Sequence, residues 1–488
     1  MLATSGRRST MGGDRLRRGG LSPTPLALAI LLAGAMASVA GCGRAGAGRR
    51  QTARPNVLLV VIDALRADRL HCYGDPRETS PTLDQLAGEG VLFSDVMAQG
   101  AETLNSVPLL LTGRRPGDKG MVWREAGGLR YAVPGPECPT LPELLKRQGY
   151  TTGMISANPV LRVEQAVGRG FDTVDAPYDV GPAWVVASSE EVNRRTLAWL
   201  DRHSRGGEPF FLYVHYLDPH GQYRPPPAFC VFGRPGYTAR DDVINAAMSR
   251  LPEGLFTPAT ADTLLSKGGL SRRDVARLSD LYVGEVLYSD HCVGELLDKL
   301  KGLGLYDNTL IIVAADHGEA FLEHGDVKHR ASLYQELLRV PLIIRGLGVR
   351  GGRREDHLVE NVDIAPTILE AVGVAAPAGT SGHSLYGALT RGESLADDTG
   401  FAEIPLAKAY AVRQGKWKLI TSPQGSELYD LSQDPGERRD LGSARPEEVD
   451  RLRELLRALL SGRSESTKKG APLSQRELEV LRSLGYVK

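Results

Sequence analysis

Two short segments of this chain combine residue types that hold a cation. Asp63 ends the apolar run NVLLVVID (56–63), and Asp316-His317-Gly318-Glu319 closes another, LIIVAAD (310–316). Carboxylate oxygens with an imidazole nitrogen suit zinc, manganese, magnesium or calcium. A third segment, ETLNSVPLLLTGRRP (102–116), supplies hydroxyls at Thr103, Ser106 and Thr112. Cysteines at 42, 72, 138, 230 and 292 are too few and too scattered for paired zinc ligands or a disulfide scaffold. Oxygen and histidine must therefore hold any metal.

Such a site needs strands whose carboxyl ends meet. TGMISA (152–157), FFLYVHY (210–216) and VPLIIRG (340–346) repeat the continuous apolar pattern of residues 56–63, as parallel strands buried on both faces do. Helices alternate with them. Thr140-Leu-Pro-Glu143 is a capping box for a helix that Gly149 closes, and Ser80-Pro81 opens one ending near Gly88. This order predicts an α/β fold with a mostly parallel central sheet flanked by helices, in which sites form beyond the carboxyl ends of strands. After about residue 395 the pattern shifts. AVRQGKWKLIT (411–421) turns near Gln414-Gly415 and ELYDL follows, which predicts a small antiparallel sheet. PEEVDRLRELLRALL (446–460) sets Val449, Leu452, Leu455, Leu456 and Leu459 on one helical face. The expected divisions are a catalytic domain over 55–395, a sheet-plus-helix subdomain over 396–462, and a tail over 463–488 with a short helix opened by the capping box at 474–477.

The N-terminus reads as an export segment. Arg7, Arg8, Arg15, Arg17 and Arg18 precede the apolar stretch at 26–40, which at fifteen residues is short for a membrane span of about twenty. The stretch ends in Val39-Ala40-Gly41-Cys42, which resembles the lipobox of bacterial lipoproteins. That resemblance implies a signal peptide over 1–42, lipidation at Cys42, a tether over 43–54 and a place at the membrane of the cell envelope. Over the whole chain, 42% hydrophobic and 24% charged residues describe a globular protein. Fifty-nine Lys plus Arg balance fifty-nine Asp plus Glu, so there is no basic excess for nucleic acid.

Taken in order, VVIDALRADRLHCYG (60–74), LLLTGRRP (109–116), PFFLYVHYLDPH (209–220), VAADHGEAFLEHG (313–325) with His329, SLYQELLRVPLIIRG (332–346), NVDIAPTILEAVGV (361–374), GKWKLI (415–420) and ELYDLSQDPGERRDL (427–441) resemble the landmarks of the sulfatase branch of the alkaline phosphatase superfamily. The resemblance runs from about Pro55 to Leu460. It implies a metal-activated nucleophile acting on sulfate, phosphate or phosphonate esters, with Asp63, Asp316 and His317 at metal-ligand positions.

The departures bear on the chemistry. Sulfatases carry Cys or Ser in Cys-x-Pro-x-Arg, oxidised to formylglycine, nine residues before the Thr of a Thr-Gly pair. Nine residues before Thr112 stands Thr103, in a window without the modifiable residue, the proline or the arginine. A register on Ser106-Val107-Pro108 recovers Ser-x-Pro but meets Leu110 where arginine is required. Residues 156–161, SANPVL, stand where sulfatases have Gly-Lys-Trp-His-Leu-Gly, and Ala64 replaces the second aspartate of calcium sulfatases. These losses resemble the phosphoethanolamine and phosphoglycerol transferases and nucleotide phosphodiesterases, which attack with an unmodified threonine. The resemblance then implies Thr103 as nucleophile and fourth ligand of one divalent ion, with His220 and His329 holding the transferred group or protonating the leaving oxygen and Asn158 contacting substrate. His215, Asp218 and His324 are candidates for a second ion. Asp290, His291 and Asp363 read as structural. The expected substrate is a small-molecule, glycan-linked or lipid-linked ester. Two other readings are a sulfatase acting without formylglycine and a family member retained for binding alone.

Overall fold

Continuous apolar runs become the inner strands of one sheet because only a strand covered on both faces can bury every side chain. A computed structural model of the chain describes residues 54–463 except 127–128, 164–165, 177, 180–184, 234–235, 238–239, 252–257 and 396–397, together with 467–469 and 475. The export segment, Cys42 and nearly all of the tail helix expected after residue 474 lie outside the described residues. Residues from 52 onward cluster as one compact unit.

The elements that matter to the site are β1 (Asn56–Ile62), α1 (Pro81–Glu89), β2 (Val91–Phe93), α2 (Leu141–Arg147), β3 (Thr151–Ser156), β4 (Thr173–Asp175), α3 (Ser189–His203), β5 (Phe210–Tyr216), α4 (Arg272–Gly302), β6 (Thr309–Ala314), β7 (Leu342–Arg345) and β8 (Arg353–Glu355). The eight strands run in the order β8-β2-β7-β6-β1-β5-β3-β4. β6, β1, β5, β3 and β4 are mutually parallel. β7 is antiparallel to both β6 and β2, which corrects the expectation that VPLIIRG is a parallel strand. Its apolar run reports burial on two faces, which either direction satisfies. The chain leaves β6 at its carboxyl end, loops through residues 315–341 and re-enters from that same edge.

The expected capping box opens α2, with the Thr140 side chain and Glu143 satisfying each other's backbone N–H groups. α1 begins at Pro81 after Ser80, and its first N–H groups are met from outside: Asp290 of α4 accepts from Thr82 and Leu83 at 2.9 and 2.8 Å. Asp290 is therefore structural, as its place on an amphipathic helix predicts. Tyr282 of the same helix donates to the Ala64 carbonyl and accepts from the Arg66 N–H, pinning the loop that follows β1.

At the C-terminal side, β9 (Thr399–Ile404), β10 (Ala409–Gln414), β11 (Trp417–Ser422) and β12 (Gly425–Asp430) form an antiparallel sheet in sequence order. The helix α5 (Pro446–Leu460) lays Val449, Leu452 and Leu456 against Phe401, Val412, Leu419 and Leu428. No helix among the described residues is long and apolar enough to cross a membrane.

Candidate active site

Strand register alone brings the site together. Ser156, His215, Val61 and Ala314 lie on one rung across β3, β5, β1 and β6. Asn158, Asp63 and Asp316 each follow that rung by two residues, so three strand ends deliver their side chains to one level of the carboxyl edge. His215 is on the rung itself. All four side chains are buried, as are Thr103 and His317.

Each of the three candidate ligands has one donor or acceptor atom tied to protein and one left over. Asp63 Oδ2 accepts three hydrogen bonds, and Oδ1 has no partner. Asp316 Oδ1 accepts from the N–H groups of His317 at 3.0 Å and Ala64 at 3.3 Å, and Oδ2 has none. His317 Nδ1 donates to the Gly318 carbonyl at 2.9 Å, which leaves the Nε2 lone pair free. That nitrogen lies 3.5 Å from Asp63 Oδ1 and 3.6 Å from Asp316 Oδ2. Three orphaned buried polar atoms converging at this spacing are costly without a shared partner, and two carboxylates plus an imidazole fit a divalent cation.

The electrostatics agree. Burial and the neighbouring Asp63 raise the Asp316 carboxyl above its ordinary range. Burial also opposes charge on Asp63, but the hydrogen bond from His215 and the fields of His220, His317 and His215 pull it well below. Burial disfavours a charged His317, and the Asp316 and Asp63 carboxylates outweigh it, raising its pKa. The raised Asp316 and His317 values mark a shortage of positive charge beside these two residues, which a dication would supply.

Thr103 opens a single helical turn, Thr103–Asn105, beside this cluster. Its hydroxyl lies 3.3 Å from Asp63 Oδ2 and 3.2 Å from Asn158 Nδ2. Asn158 Nδ2 also donates to Asp63 Oδ2 at 2.6 Å, so this side chain holds nucleophile candidate and ligand candidate together. Ser106, the competing candidate, donates instead to the Gly100 carbonyl at 3.2 Å, and Thr112 donates to Pro108. Gly318 is required where it stands, because a Cβ there would lie 2.0 Å from the Glu336 carbonyl oxygen. Ala64 holds a positive φ of 55°, a strained conformation for a residue with a Cβ.

Two more histidines close over the cluster. The His329 ring packs 4.6 Å from His317 and 4.8 Å from His220. His329 is buried, with Nδ1 3.1 Å from Glu319 Oε1, and burial together with His317 and His220 lowers its pKa well below the ordinary value. His220 directs Nδ1 to the Gly221 carbonyl and keeps Nε2 without a protein partner. Both histidines proposed from sequence are therefore gathered beside Thr103, Asp63, Asp316, His317 and Asn158.

The residues considered for a second ion are not brought together, which corrects that expectation. Asp218 accepts from the Ser189 N–H and hydroxyl at the start of α3. His324 lies in a separate cluster with Glu336 and Glu437, where its ring nitrogens face Glu336 Oε1 at 2.7 Å and the Glu437 carbonyl at 2.8 Å. Both nitrogens face protein acceptors; burial opposes charge on the ring, and the Glu336 and Glu437 contacts outweigh it and raise its pKa. His215 reaches the main cluster but through Asp63. Asp363 accepts backbone N–H groups from Glu360 and His383, the expected capping role, and His291 is exposed. Among the described residues the cysteines at 72, 138, 230 and 292 are free. Sequence reasoning gave no role to Glu319 or Tyr213. The signal for Tyr213 was present: Tyr213 and His215, two apart in FFLYVHY, are a polar pair on one face of an otherwise apolar strand.

Comparison with known proteins gives the family and the fold. The family model described as Sulfatase matches residues 55–374, and that of the N-sulphoglucosamine sulphohydrolase C-terminal region matches 322–463. An N-acetylglucosamine-6-O-sulfatase of Bacteroides thetaiotaomicron is 25% identical, over 84% of this chain and 86% of its own length. An arylsulfatase of Clostridium perfringens is 24% identical over 86% and 97%. Among solved structures, one in complex with D-glucosamine-2-N,6-O-disulfate superposes with a TM-score of 0.67 at 22% identity, covering 83% of this chain and 97% of its own. A phosphonate monoester hydrolase from Silicibacter pomeroyi gives 0.65 at 22%, covering 86% and 99%. The structural likenesses show a shared fold, and the match of residues 55–374 places this chain in the sulfatase family, as an α/β hydrolase of the alkaline phosphatase superfamily.

Proposed function

We propose that this protein is a metal-dependent hydrolase or transferase that attacks phosphate, phosphonate or sulfate esters with the unmodified hydroxyl of Thr103. The observation that carries the reading is the place of that hydroxyl, buried between Asp63 and Asn158 at the level of the three ligand candidates. The segment holds no cysteine, and its one serine is turned to the Gly100 carbonyl. The name of the Silicibacter relative supports phosphorus chemistry on this fold, and those of the Bacteroides and Clostridium relatives support sulfate.

Asp63, Asp316, His317 and Thr103 would hold the ion. When bound, a dication supplies charge that lowers the pKa of a hydroxyl and neutralises an arriving ester. Thr103 gives up its hydroxyl proton to solvent, and Oγ1 then forms the bond to phosphorus as the bond from phosphorus to the ester oxygen breaks. The departing oxygen takes its proton from the protonated ring of His220 or His329; Nε2 of His220 has no protein partner. The anionic ester also returns positive character to His329, reversing the lowering caused by His317 and His220. Water or an acceptor alcohol then attacks phosphorus, the bond to Oγ1 breaks, and the proton released passes to the same histidine. Export and lipid anchoring at Cys42 would set this site at the cell envelope, facing small-molecule, glycan-linked or lipid-linked esters.

The test is turnover of an aryl phosphate monoester, a phosphate diester, a phosphonate monoester and an aryl sulfate by the fragment beginning after Cys42, with zinc, manganese, magnesium and calcium in turn. Phosphorus esters should be consumed, and acid quenching during turnover should trap a phosphorylated peptide containing Thr103. Turnover of the sulfate ester alone, with no such peptide, would favour the formylglycine-independent sulfatase.

A further inference from the structure

Three donors converge on a single oxygen of Asp63. Oδ2 accepts from Asn158 Nδ2 at 2.6 Å, from His215 Nε2 at 3.0 Å and from the Thr103 hydroxyl at 3.3 Å, while Oδ1, equally buried, has no protein partner. Behind His215, the Tyr213 hydroxyl lies 2.7 Å from Nδ1. Tyr213 and His215 are both fully buried on β5 and face the same side of the sheet.

Hydrogen-bond roles along this chain have one consistent assignment. Burial and the nearby Asp316 and Asp63 carboxylates keep the Tyr213 hydroxyl protonated. A carboxylate oxygen can only accept, so the imidazole nitrogen facing it carries the proton. His215 thus donates from Nε2 and accepts a hydrogen bond from the Tyr213 hydroxyl at Nδ1. In this tautomer no lone pair of His215 points toward Asp63 Oδ1, Asp316 Oδ2 or His317 Nε2.

We propose that Tyr213 and His215 are positioning residues for the dication, occupying Oδ2 so that Asp63 ligates through Oδ1 alone and His317 is the only imidazole ligand among the described residues. Chelation through both oxygens of Asp63 would break three buried hydrogen bonds to gain one contact. Backing the ligand with two rigid rings also fixes its carboxylate plane, and such supporting bonds change metal affinity by about 10- to 100-fold. The inference rests on the metal site used in the proposed reaction but not on Thr103 acting as the nucleophile, since the bonds from Asn158 and His215 hold Oδ2 whether or not the Thr103 hydroxyl donates.

The experiment is zinc titration of the protein against a competing chelator, paired with zinc-edge X-ray absorption to count imidazole ligands. Tyr213→Phe, which removes one oxygen, and His215→Gln, which keeps a donor near Asp63, accompany His215→Ala. The parent should show one imidazole, and His215→Gln should still show one. Zinc affinity should fall by about 10- to 100-fold in His215→Ala and less in His215→Gln and Tyr213→Phe, with native far-UV circular dichroism throughout. Two imidazoles in the parent, dropping to one in His215→Gln, would make His215 a direct ligand and overturn the proposal. Parental affinity in Tyr213→Phe would overturn it as well, even if His215→Ala does not fold. Neither readout involves turnover, so failure of the Thr103 chemistry would leave both unmoved.

Discussion

His329 is bonded through Nδ1 to Oε1 of Glu319 at 3.1 Å, with both side chains buried. The contact spans ten residues of a loop that leaves the sheet at Asp316 and sets which ring nitrogen of His329 faces the cluster. With Nδ1 committed, Nε2 is the atom left for the reacting group. Glu319→Gln keeps an acceptor but also presents a competing donor, so the ring should lose its fixed orientation. We expect kcat to fall about tenfold with KM little changed, less than the about 10²–10⁴-fold that removal of a general acid costs. Steady-state kinetics on whichever ester the turnover assay finds active would check this, and an unchanged kcat would remove Glu319 from any positioning role.

Thr103→Ala removes the nucleophile while leaving Asp63, Asp316 and His317 in place. Turnover should drop by at least about a hundredfold, and Thr103→Ser should retain part of it. Metal content measured on the same samples separates a lost nucleophile from a lost ion. A Thr103→Ala protein as active as the parent would end the threonine reading.

Loss of one strand-end carboxylate should empty the metal site. Asp316→Asn converts a charged ligand to a neutral one, and Asp63→Ala removes Oδ1 outright. Elemental analysis should find bound dication sharply reduced in both. Far-UV circular dichroism should stay native, because each side chain sits beyond the end of its strand. Full occupancy in both variants would show that the ion is held elsewhere.

Asp326 makes stability depend on pH. Its side chain is fully buried, with hydrogen bonds from the Val327 N–H and the Ser332 hydroxyl, and burial raises its pKa from 3.8 to about 8. A raised carboxyl favours the folded state while it is protonated. That contribution is complete below 3.8 and is lost as pH rises through about 8. Unfolding free energies from urea titrations at pH 5 and pH 9 should therefore differ more for the parent than for Asp326→Asn, by an amount on the order of a few kcal/mol. Equal differences in the two proteins would contradict the assignment.

Lipid attachment should depend on Cys42. In Cys42→Ser the thiol beside the expected cleavage point is gone, so the protein should leave the membrane fraction or stay unprocessed. Fractionation with mass analysis of the N-terminal peptide reads the outcome directly. Processing and membrane association like the parent's would refute the lipobox reading.

Asp63, Asp316 and His317 are legible in the linear chain because each closes an apolar run, and polar residues at the end of a buried strand emerge at a sheet edge. Thr103 is legible through its spacing to Thr112-Gly113, and His220 and His329 through the motifs around them. The hairpin at 411–421, the capping box at Thr140 and the apolar face of α5 follow from local periodicity and turn chemistry, which depend on neighbours a few residues away. Direction is another matter. β7 has the composition of its parallel neighbours and runs the other way, since side-chain burial is blind to chain direction.

The site divides along the same line. Residue types suit a hard-cation centre with a hydroxyl beside it, because carboxylate and threonine oxygens with an imidazole nitrogen are donors that such a cation takes. Which oxygen of Asp63 is left over, that Asn158 bridges Asp63 and Thr103, and that His215 backs a ligand while His324 turns to Glu336 and Glu437 all came from register and from the loop after β6. Apart from His324 with Glu336, twelve residues away, those relations join residues from 55 to 152 positions apart. A hydrogen bond is decided by tenths of an ångström between such distant segments, and no local pattern in the chain encodes that distance.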